Sequence, residues 1–566
     1  MAENKNDEIL PRWRNESEYS SLSGADFQEE MQRAIAGVSE VSDASCRLRS
    51  KFDALTLESE SVASALITEL QAFALLKEKV FVLFWNLKVF VSCELACDGT
   101  LVDAKKIDSE LSRCFAEFEQ AVNPISNFLA RAPEAFTEVY LKGAHSRTER
   151  FGILRQREVA TTLLSDDGEN LLTALEESGL HAWGALYREL SSHLRCELKW
   201  SDGKTEVMGL AQAAALTKSN DELTRRVAWS ALQEAWTQQQ ASATAILNSL
   251  AGWRLEVAKK RSHTMPVDYL FPSLRASGIQ RETLEVMMAS VRECRPRNQR
   301  ALSLMATQLG KKQLDPWDTL AGAPNVGSSE GRSFQAGFRM VRDSFAEADP
   351  EMGEFCDLML KSGWIESRVL PNKIGGAHCT YFPKSRTPRV FQTYMGSLHD
   401  IRTLAHELGH AYHAWVQRDL SWNERGMSMT LSESASIFAE TTFAAALTGP
   451  GVDADVRSEI EWQNAESAMS FLLNIPIRYE FERELYERRK KAVVGADELR
   501  SIMSEKWMEW YGPGMSAPDP MFWATKLHFS ISQVSFYNYP YIFGYLFSLG
   551  LYARRVEEGP EFMKSY

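Results

Sequence analysis

The sequence predicts a mostly α-helical protein with one small β region, and three observations carry that prediction. Apolar residues recur at helical spacing through most of the first 190 residues and again from Ser219. Between Arg368 and Gly396, short apolar runs are punctuated by Pro371, Gly375, Gly376, Pro383 and Pro388, which is a strand signal. Helical spacing returns at Leu398 and continues to the end, broken at Tyr511–Pro520.

Ser59 to Leu95 is the first long helical stretch. Its most apolar run, Val80–Trp85, is flanked by Lys77, Glu78, Lys79 and Lys88 and reads as a buried core helix. No run approaches the ~20 apolar residues of a membrane-spanning helix. Thr161 to Ser192 follows, with a polar break at Asp166-Asp167-Gly168. Ser219-Asn220-Asp221-Glu222 has capping-box form ahead of Leu223, Val227, Ala231 and Ala235, so a helix start is expected there. Ala321 to Gly331 is rich in Gly, Ser and Ala and reads as a loop. In the β region, Arg389 to Tyr394 reads as a strand. Alternation sends Val390, Gln392 and Tyr394 to one side and Phe391 and Thr393 to the other.

Composition excludes several classes. The 566 residues include 63 Lys+Arg and 76 Asp+Glu, a net charge of −13, with 44% hydrophobic and 25% charged residues. That balance belongs to a folded globular chain, and its acidic sign argues against nucleic acid as a partner. The polar Met1–Glu8 lacks the apolar core of a signal peptide. Eight irregularly spaced cysteines make no disulfide framework. Cys93 and Cys97 are read as buried thiols rather than a zinc pair, because no second pair follows. A cytoplasmic location with no membrane partner is expected.

The chemistry concentrates in a short stretch. Five of the ten histidines lie between His378 and His413. Within it, His406-Glu407-Leu408-Gly409-His410 is an H-E-x-x-H pattern. Four residues on a helix advance by about 400°, so both imidazoles project from one face and can reach one Zn²⁺ at roughly 2.0–2.1 Å. Glu407 beside them can hold the water that the metal activates and take its proton. Chance gives on the order of 0.02 such patterns in a chain of this length and composition. The helix has its own start signal, Ser397-x-x-Asp400. It also has an apolar stripe of Ile401, Leu404, Ala405, Leu408, Tyr412 and Trp415, opposite the two histidines.

A hydrolytic zinc takes a third protein ligand and keeps one position open. His413 stands about 10.5 Å along the helix axis from His406, too far to converge on the same ion, and is expected at the wall of the cleft. His399 is a helix-start residue. Met429 to Glu440, as a helix, puts Glu433, Ser436 and Glu440 on one face, with Leu431, Ala435, Phe438 and Thr442 on the other. Glu433, 23 residues after His410, is the first candidate and Glu440 the next. Thr430-x-x-Glu433 also reads as a capping box, a purely structural alternative.

With these stretches in order, the chain resembles the oligoendopeptidase F family, relatives of thimet oligopeptidase. Leu404–His413 resembles the family's zinc helix and Thr430–Glu440 its second metal helix. Lys373-Ile374-Gly375-Gly376-Ala377-His378-Cys379 resembles the Gly-rich strand ahead of the zinc helix. His528-Phe529 and Phe536–Leu546 resemble the His- and Tyr-bearing C-terminal segment. The resemblance is sharp from about residue 360 to 555.

It implies a two-lobed helical zinc metallopeptidase, with a deep central cleft and a small β-sheet beside the H-E-x-x-H helix. Residues 1–195 would form an N-terminal helical region. Residues 196–566 would form the catalytic domain, with the zinc site at 400–440 and a substrate segment at 528–546. Glu433 becomes the third ligand of one Zn²⁺ per chain, with Glu440 and Ser436 supporting it. Position 437, where many thermolysin-like enzymes carry an Asp, is Ile, so another group must orient the histidine. Tyr545 and His528 would stabilise the oxyanion, with Tyr541 or Tyr539 as companion. Gly375 and Gly376 would lie along the substrate, which could pair with the strand at Arg389–Met395.

The implied activity is hydrolysis of internal bonds in short unstructured peptides, by a monomer or weak homo-oligomer. The alternatives are a zinc-holding peptide-binding protein without turnover and a carboxypeptidase- or dipeptidase-type exopeptidase. Members of the family usually continue for a few helical turns past the point reached at Tyr566.

Overall fold

In the structure, a computed structural model, residues 10–52, 60–324 and 331–566 are described. Met1–Glu8 and most of the loop expected at 321–331 lie outside them.

The chain is built from helices, as the periodicity predicts. Three long ones open it: α1 (Ala25–Phe52), α2 (Glu60–Cys97) and α3 (Val102–Arg131), packed against one another. The expectation that no run could span a membrane needs correcting. Ala63–Cys97 is long and apolar enough by length and composition. Within the protein, half of its most apolar window is buried. Val80, Phe84, Leu87 and Val91 are covered, the first by the bundle around Phe118 and the others by the cluster around Phe27 and Leu111. Cys93 is buried there as a free thiol, and Cys97 is free as well.

The polar break at Asp166-Asp167-Gly168 is a helix start. Ser165 Oγ accepts from the Gly168 amide, and the chain then runs helically through a π turn to His193. A hairpin follows that periodicity did not disclose. β1 (Arg195–Lys199) pairs antiparallel with β2 (Thr205–Gly209). β1 is only five residues long, and buries just Cys196 and Leu198. After a short helix, Leu210–Leu216, α4 (Glu222–Gln238) starts two residues later than its sequence signal. Asp221, not Ser219, accepts from the Thr224 amide at 2.8 Å. A carboxylate there meets both the free amides and the positive end of the helix dipole.

The β region forms a three-stranded sheet. Its strands are β3 (Ile365–Glu366), β4 (His378–Phe382) and β5 (Thr387–Phe391), in the order β3-β5-β4. Alternation along β5 is as expected where it can be followed. Val390 and Tyr394 enter the core beneath Ile401, Leu404 and Leu408, while Phe391 joins Trp13, Tyr19 and Phe90. The expected docking of substrate on Arg389–Met395 is overturned, because β5 is the central strand. Val390 pairs with Ile365 on one side and with Cys379 on the other. A new strand cannot add where both edges are used. β4, by contrast, has a strand partner on one side only among the described residues.

β4 and β5 pack on α5 (Leu398–Val416), which carries the H-E-x-x-H residues. The capping box forms as predicted: Ser397 Oγ accepts from the Asp400 amide at 3.1 Å, and Asp400 Oδ2 accepts from the Ser397 amide at 3.1 Å. Ile401, Leu404, Ala405 and Leu408 are fully buried. The tightest partner of α5 is α6 (Ser434–Ala446). Gly409 permits that approach. A Cβ there would stand 2.6 Å from Ala439 Cβ, 2.9 Å from Ser436 Cα and 3.0 Å from the Ala435 carbonyl. Gly409→Ala must therefore push the two helices apart. The expected result is a loss of about 1–3 kcal/mol of stability together with weaker metal binding. Denaturant unfolding and metal titration check it, and an unchanged midpoint would show that the contact is not tight.

Candidate metal centre

His406 and His410 leave α5 one turn apart, their rings 4.9 Å between centroids and nearly perpendicular. Glu433 sits at a one-residue break between a short helix, Met429–Ser432, and α6. The capping box offered as its structural alternative does not form. The Thr430 hydroxyl donates instead to the Ser277 carbonyl at 2.6 Å, and Ser428 occupies the cap position. Glu433 is thereby free to turn inward. Its Oε2 lies 3.4 Å from His406 Nε2 and 3.3 Å from His410 Nε2. The three donor atoms fall within 4.8 Å of one another, and no other such cluster occurs among the described residues.

This donor set suits a metal ion. Two imidazole nitrogens and one carboxylate oxygen, without thiolates, match the ligand preferences of a hydrolytic zinc site. The side chains are 25%, 23% and 30% exposed in chain order, so one side stays open to water and substrate. The cluster also calls for positive charge. Burial lowers the His406 pKa, but its hydrogen bonds to the Glu433 and Glu440 carboxylates more than offset it, so it is raised to about 10. Burial would raise the Glu433 pKa, yet the two histidines hold it far below the usual range.

Glu440 orients the first histidine. His406 Nδ1 meets Glu440 Oε1 at 2.5 Å, which leaves Nε2 facing Glu433. Arg402 Nε donates to the other Glu440 oxygen at 2.7 Å, and the same guanidinium reaches Asn464 and Ser467 at 3.3 Å each. This supplies the orienting carboxylate that Ile437 cannot. Arg402, Asn464 and Ser467 were not foreseen. The signal for Arg402 was its place one turn before His406 on the same helix face. Ser436 is also present, donating to Glu433 Oε2 at 3.1 Å. Glu440→Gln should weaken metal binding about 10–100-fold, measured by competition with a chelating dye. An affinity within twofold of wild type would remove Glu440 from this role.

Glu407 is 5% exposed, and its Oε2 is buried with no hydrogen-bond partner. Burial raises its pKa against the opposing charges of His406 and His410. An unpartnered carboxylate oxygen beside an open donor triad is poised to accept a proton. Cys379 of β4 lies within its electrostatic reach, so the edge strand runs alongside.

The C-terminal segment faces the triad with some of the expected residues. Tyr541 is influenced by the Glu433 charge, and Tyr545 by Arg402 and Glu440. Tyr545 stacks on Phe471 at 4.8 Å. His528 stacks on Tyr537 at 5.9 Å, and Tyr537 meets Tyr541 at 5.2 Å. Tyr537 was missed; only its place between His528 and Tyr541 could have suggested it. His528 Nδ1 is buried without a partner, and burial with the charges of Arg478 and Lys526 lowers its pKa to about 4.

Tyr539 must be withdrawn from the substrate-facing set. It is wholly buried, and its hydroxyl is taken by Ser273 Oγ at 2.9 Å and Ser277 Oγ at 3.1 Å. Helical geometry explains this. In α7 (Tyr539–Glu558), Tyr541 and Tyr545 are four residues apart and share a face, while Tyr539 points about 200° away from Tyr541.

The loop before α7 is clamped from two helices. Arg254 donates to the carbonyls of Ile531, Ser532 and Val534, at 2.6, 3.1 and 2.9 Å. The buried Glu482 accepts from the Phe536 amide at 2.9 Å and from Asn538 Nδ2 at 2.8 Å. Phe536 is held at φ +54, a strained conformation for a bulky residue.

Other expected residues lie further out. His413 lines a cavity of about 860 Å³ with Tyr412, Phe438 and Tyr566, and its Nε2 is 3.0 Å from Gln417 Nε2. It is outside the triad, as the helix rise requires. Gly375 and Gly376 lie in the exposed turn entering β4. A Cβ at either would meet nothing within 4 Å, and Gly376 has φ +95.

Comparison with known proteins completes the description. Sequence comparison with curated proteins gives no match. The fold is similar to that of a candidate peptidase from Chlamydophila abortus. The TM-score is 0.79 at 17% identity, over 99% of this chain and 91% of that one. It is also similar to oligoendopeptidase-F from Enterococcus faecium (0.68, 17%, 95% and 90%) and to PZ peptidase A solved with an inhibitor (0.68, 16%, 94% and 89%). Residues 351–565, which carry the triad, Glu407, Glu440 and the tyrosine-bearing helix, match the model of peptidase family M3. That segment, rather less than half of the chain, is similar to peptidase family M3, a family of metallopeptidases.

Proposed function

We propose that this chain is a zinc-dependent oligopeptidase that hydrolyses internal bonds of short, unstructured peptides. The observation that carries the reading is the unpartnered Glu407 oxygen beside a partly exposed His406-His410-Glu433 triad. A zinc ion held by those three residues would polarise the scissile carbonyl and acidify a water.

The chain's own groups do the rest. Glu407 takes the proton from the attacking water and delivers it to the leaving amine. Glu440 keeps His406 in the tautomer whose Nε2 is free to bind. Tyr541 and Tyr545 offer hydroxyl donors to the oxyanion, and His528, held neutral, offers an N–H. The outer edge of β4 gives an extended peptide main-chain partners. A structural zinc would fill its fourth position with another protein ligand and would have no need of Glu407. All eight cysteines are free thiols, which suits the proposed cytoplasmic setting.

Quenched fluorescent peptides of increasing length, blocked at both ends, test the reading with and without chelator. Internal cleavage that a chelator abolishes and zinc restores supports it. Cleavage confined to peptides with free ends would favour an exopeptidase, and hydrolysis that survives chelation would overturn the metal role.

A further inference from the structure

Two cations that act on His528 have no carboxylate partner among the described residues. Arg478 makes a single side-chain hydrogen bond, from Nε to Asn474 Oδ1 at 2.9 Å. Lys526 makes none from its ammonium to any described residue. Both lie over the same ring, Phe522, at 5.4 and 4.8 Å from its centroid. Neither forms an ion pair within 4.0 Å among the described residues, although the chain carries an excess of 13 acidic groups. The acid that acts on Lys526, Asp519, is already engaged by Trp229 Nε1 at 2.9 Å and Gln233 Nε2 at 2.7 Å.

Their position relates them to the reaction. Their charges act together on His528, and that of Arg478 acts on Tyr541. Tyr541 in turn feels Glu433. The cation pair is thus coupled to His528 and Tyr541, which are linked through Tyr537 by ring contacts of 5.9 and 5.2 Å. Two unpaired, half-buried cations are costly to keep unless a ligand supplies the counter-charge.

We propose that Arg478 and Lys526 form a receptor for a substrate carboxylate, either the peptide's C-terminus or an acidic side chain. The guanidinium offers its terminal N–H groups as a fork and the ammonium adds a point charge. Their shared contact with the Phe522 ring keeps the two charges close together. The inference rests on the peptidase reading of the site.

The test compares kcat/KM for one quenched peptide series on the zinc-loaded full chain. One arm sets a free C-terminal acid against its amide. The other sets Glu against Gln at each position beyond the scissile bond. The expected result is a preference of about tenfold or more for the charged member in one arm. Lys526→Gln and Arg478→Gln should collapse it toward unity, and Lys526→Arg should keep most of it. The preference is a ratio within each protein, so a partly folded variant still reports it. An acid-over-amide preference identifies the C-terminus, and a Glu-over-Gln preference identifies a side chain.

Wild-type cleavage without preference in either arm overturns the receptor and leaves the peptidase reading standing. A preference unchanged in both Gln variants also overturns it. Failure of the wild-type chain to cleave any peptide sinks the peptidase reading itself.

Discussion

Glu407→Gln lowers kcat by about 10²–10⁴-fold while the chain still binds one metal ion. The reason is local. Glu407 follows His406 directly and carries a buried, unpartnered oxygen but is not in the donor triad. Gln is nearly the same size, can still accept a hydrogen bond from water, and cannot take a proton. The burial that raises the Glu407 pKa also makes it a stronger base than an exposed carboxylate. Metal content by mass spectrometry and peptide hydrolysis on the same sample separate the two roles. Retained turnover would remove Glu407 as the base, and lost metal would show that it supports the ligands instead.

Glu433→Ala abolishes turnover by a different route: the metal is lost. Two histidines one turn apart on α5 remain, without the third donor or the charge that offsets the cation. The affinity loss should exceed the roughly 10–100-fold expected for an outer partner such as Glu440. Stability follows by linkage, because a ligand that binds only the folded state at 1,000 times its Kd contributes about 4.1 kcal/mol. Zinc should therefore raise the unfolding temperature of the wild-type chain and barely move that of Glu433→Ala. Equal zinc stabilisation of both proteins would refute Glu433 as a ligand. Glu433→Asp is the useful companion. It keeps the charge but shortens the reach, and partial recovery of binding is expected.

Features set by neighbours along the chain were readable in advance. The i, i+4 spacing of His406 and His410, the box at Ser397 and Asp400, and the stripe from Ile401 to Leu408 all depend on helix geometry alone. The choice of Glu433 over Glu440 could not be derived that way. Read as one continuous helix the segment puts both on one face, and what separates them is the break at Glu433 and the Thr430–Ser277 hydrogen bond. Ser277 is 153 residues away in sequence.

The same division explains the corrections. Short-range capping signals at Ser219 and Thr430 competed with nearby or distant acceptors and lost. The strand expected at Arg389–Tyr394 is present as far as Phe391, but strand order is a long-range property, and β5 proved to be interior. Tyr539 and Tyr541 look alike in a line of tyrosines, yet one is bound by Ser273 and Ser277 and the other feels the charge of Glu433.

The sequence by itself determined that this is a helical chain carrying a metal-type helix with its base, because 3.6-residue periodicity encodes one face of one helix. Only the tertiary structure decided which carboxylate completes the triad, which carboxylate orients His406, which strand edge is open, and that Arg478 and Lys526 stand unpaired. Those features arise from packing between segments far apart in the chain, and no local pattern records which segments meet.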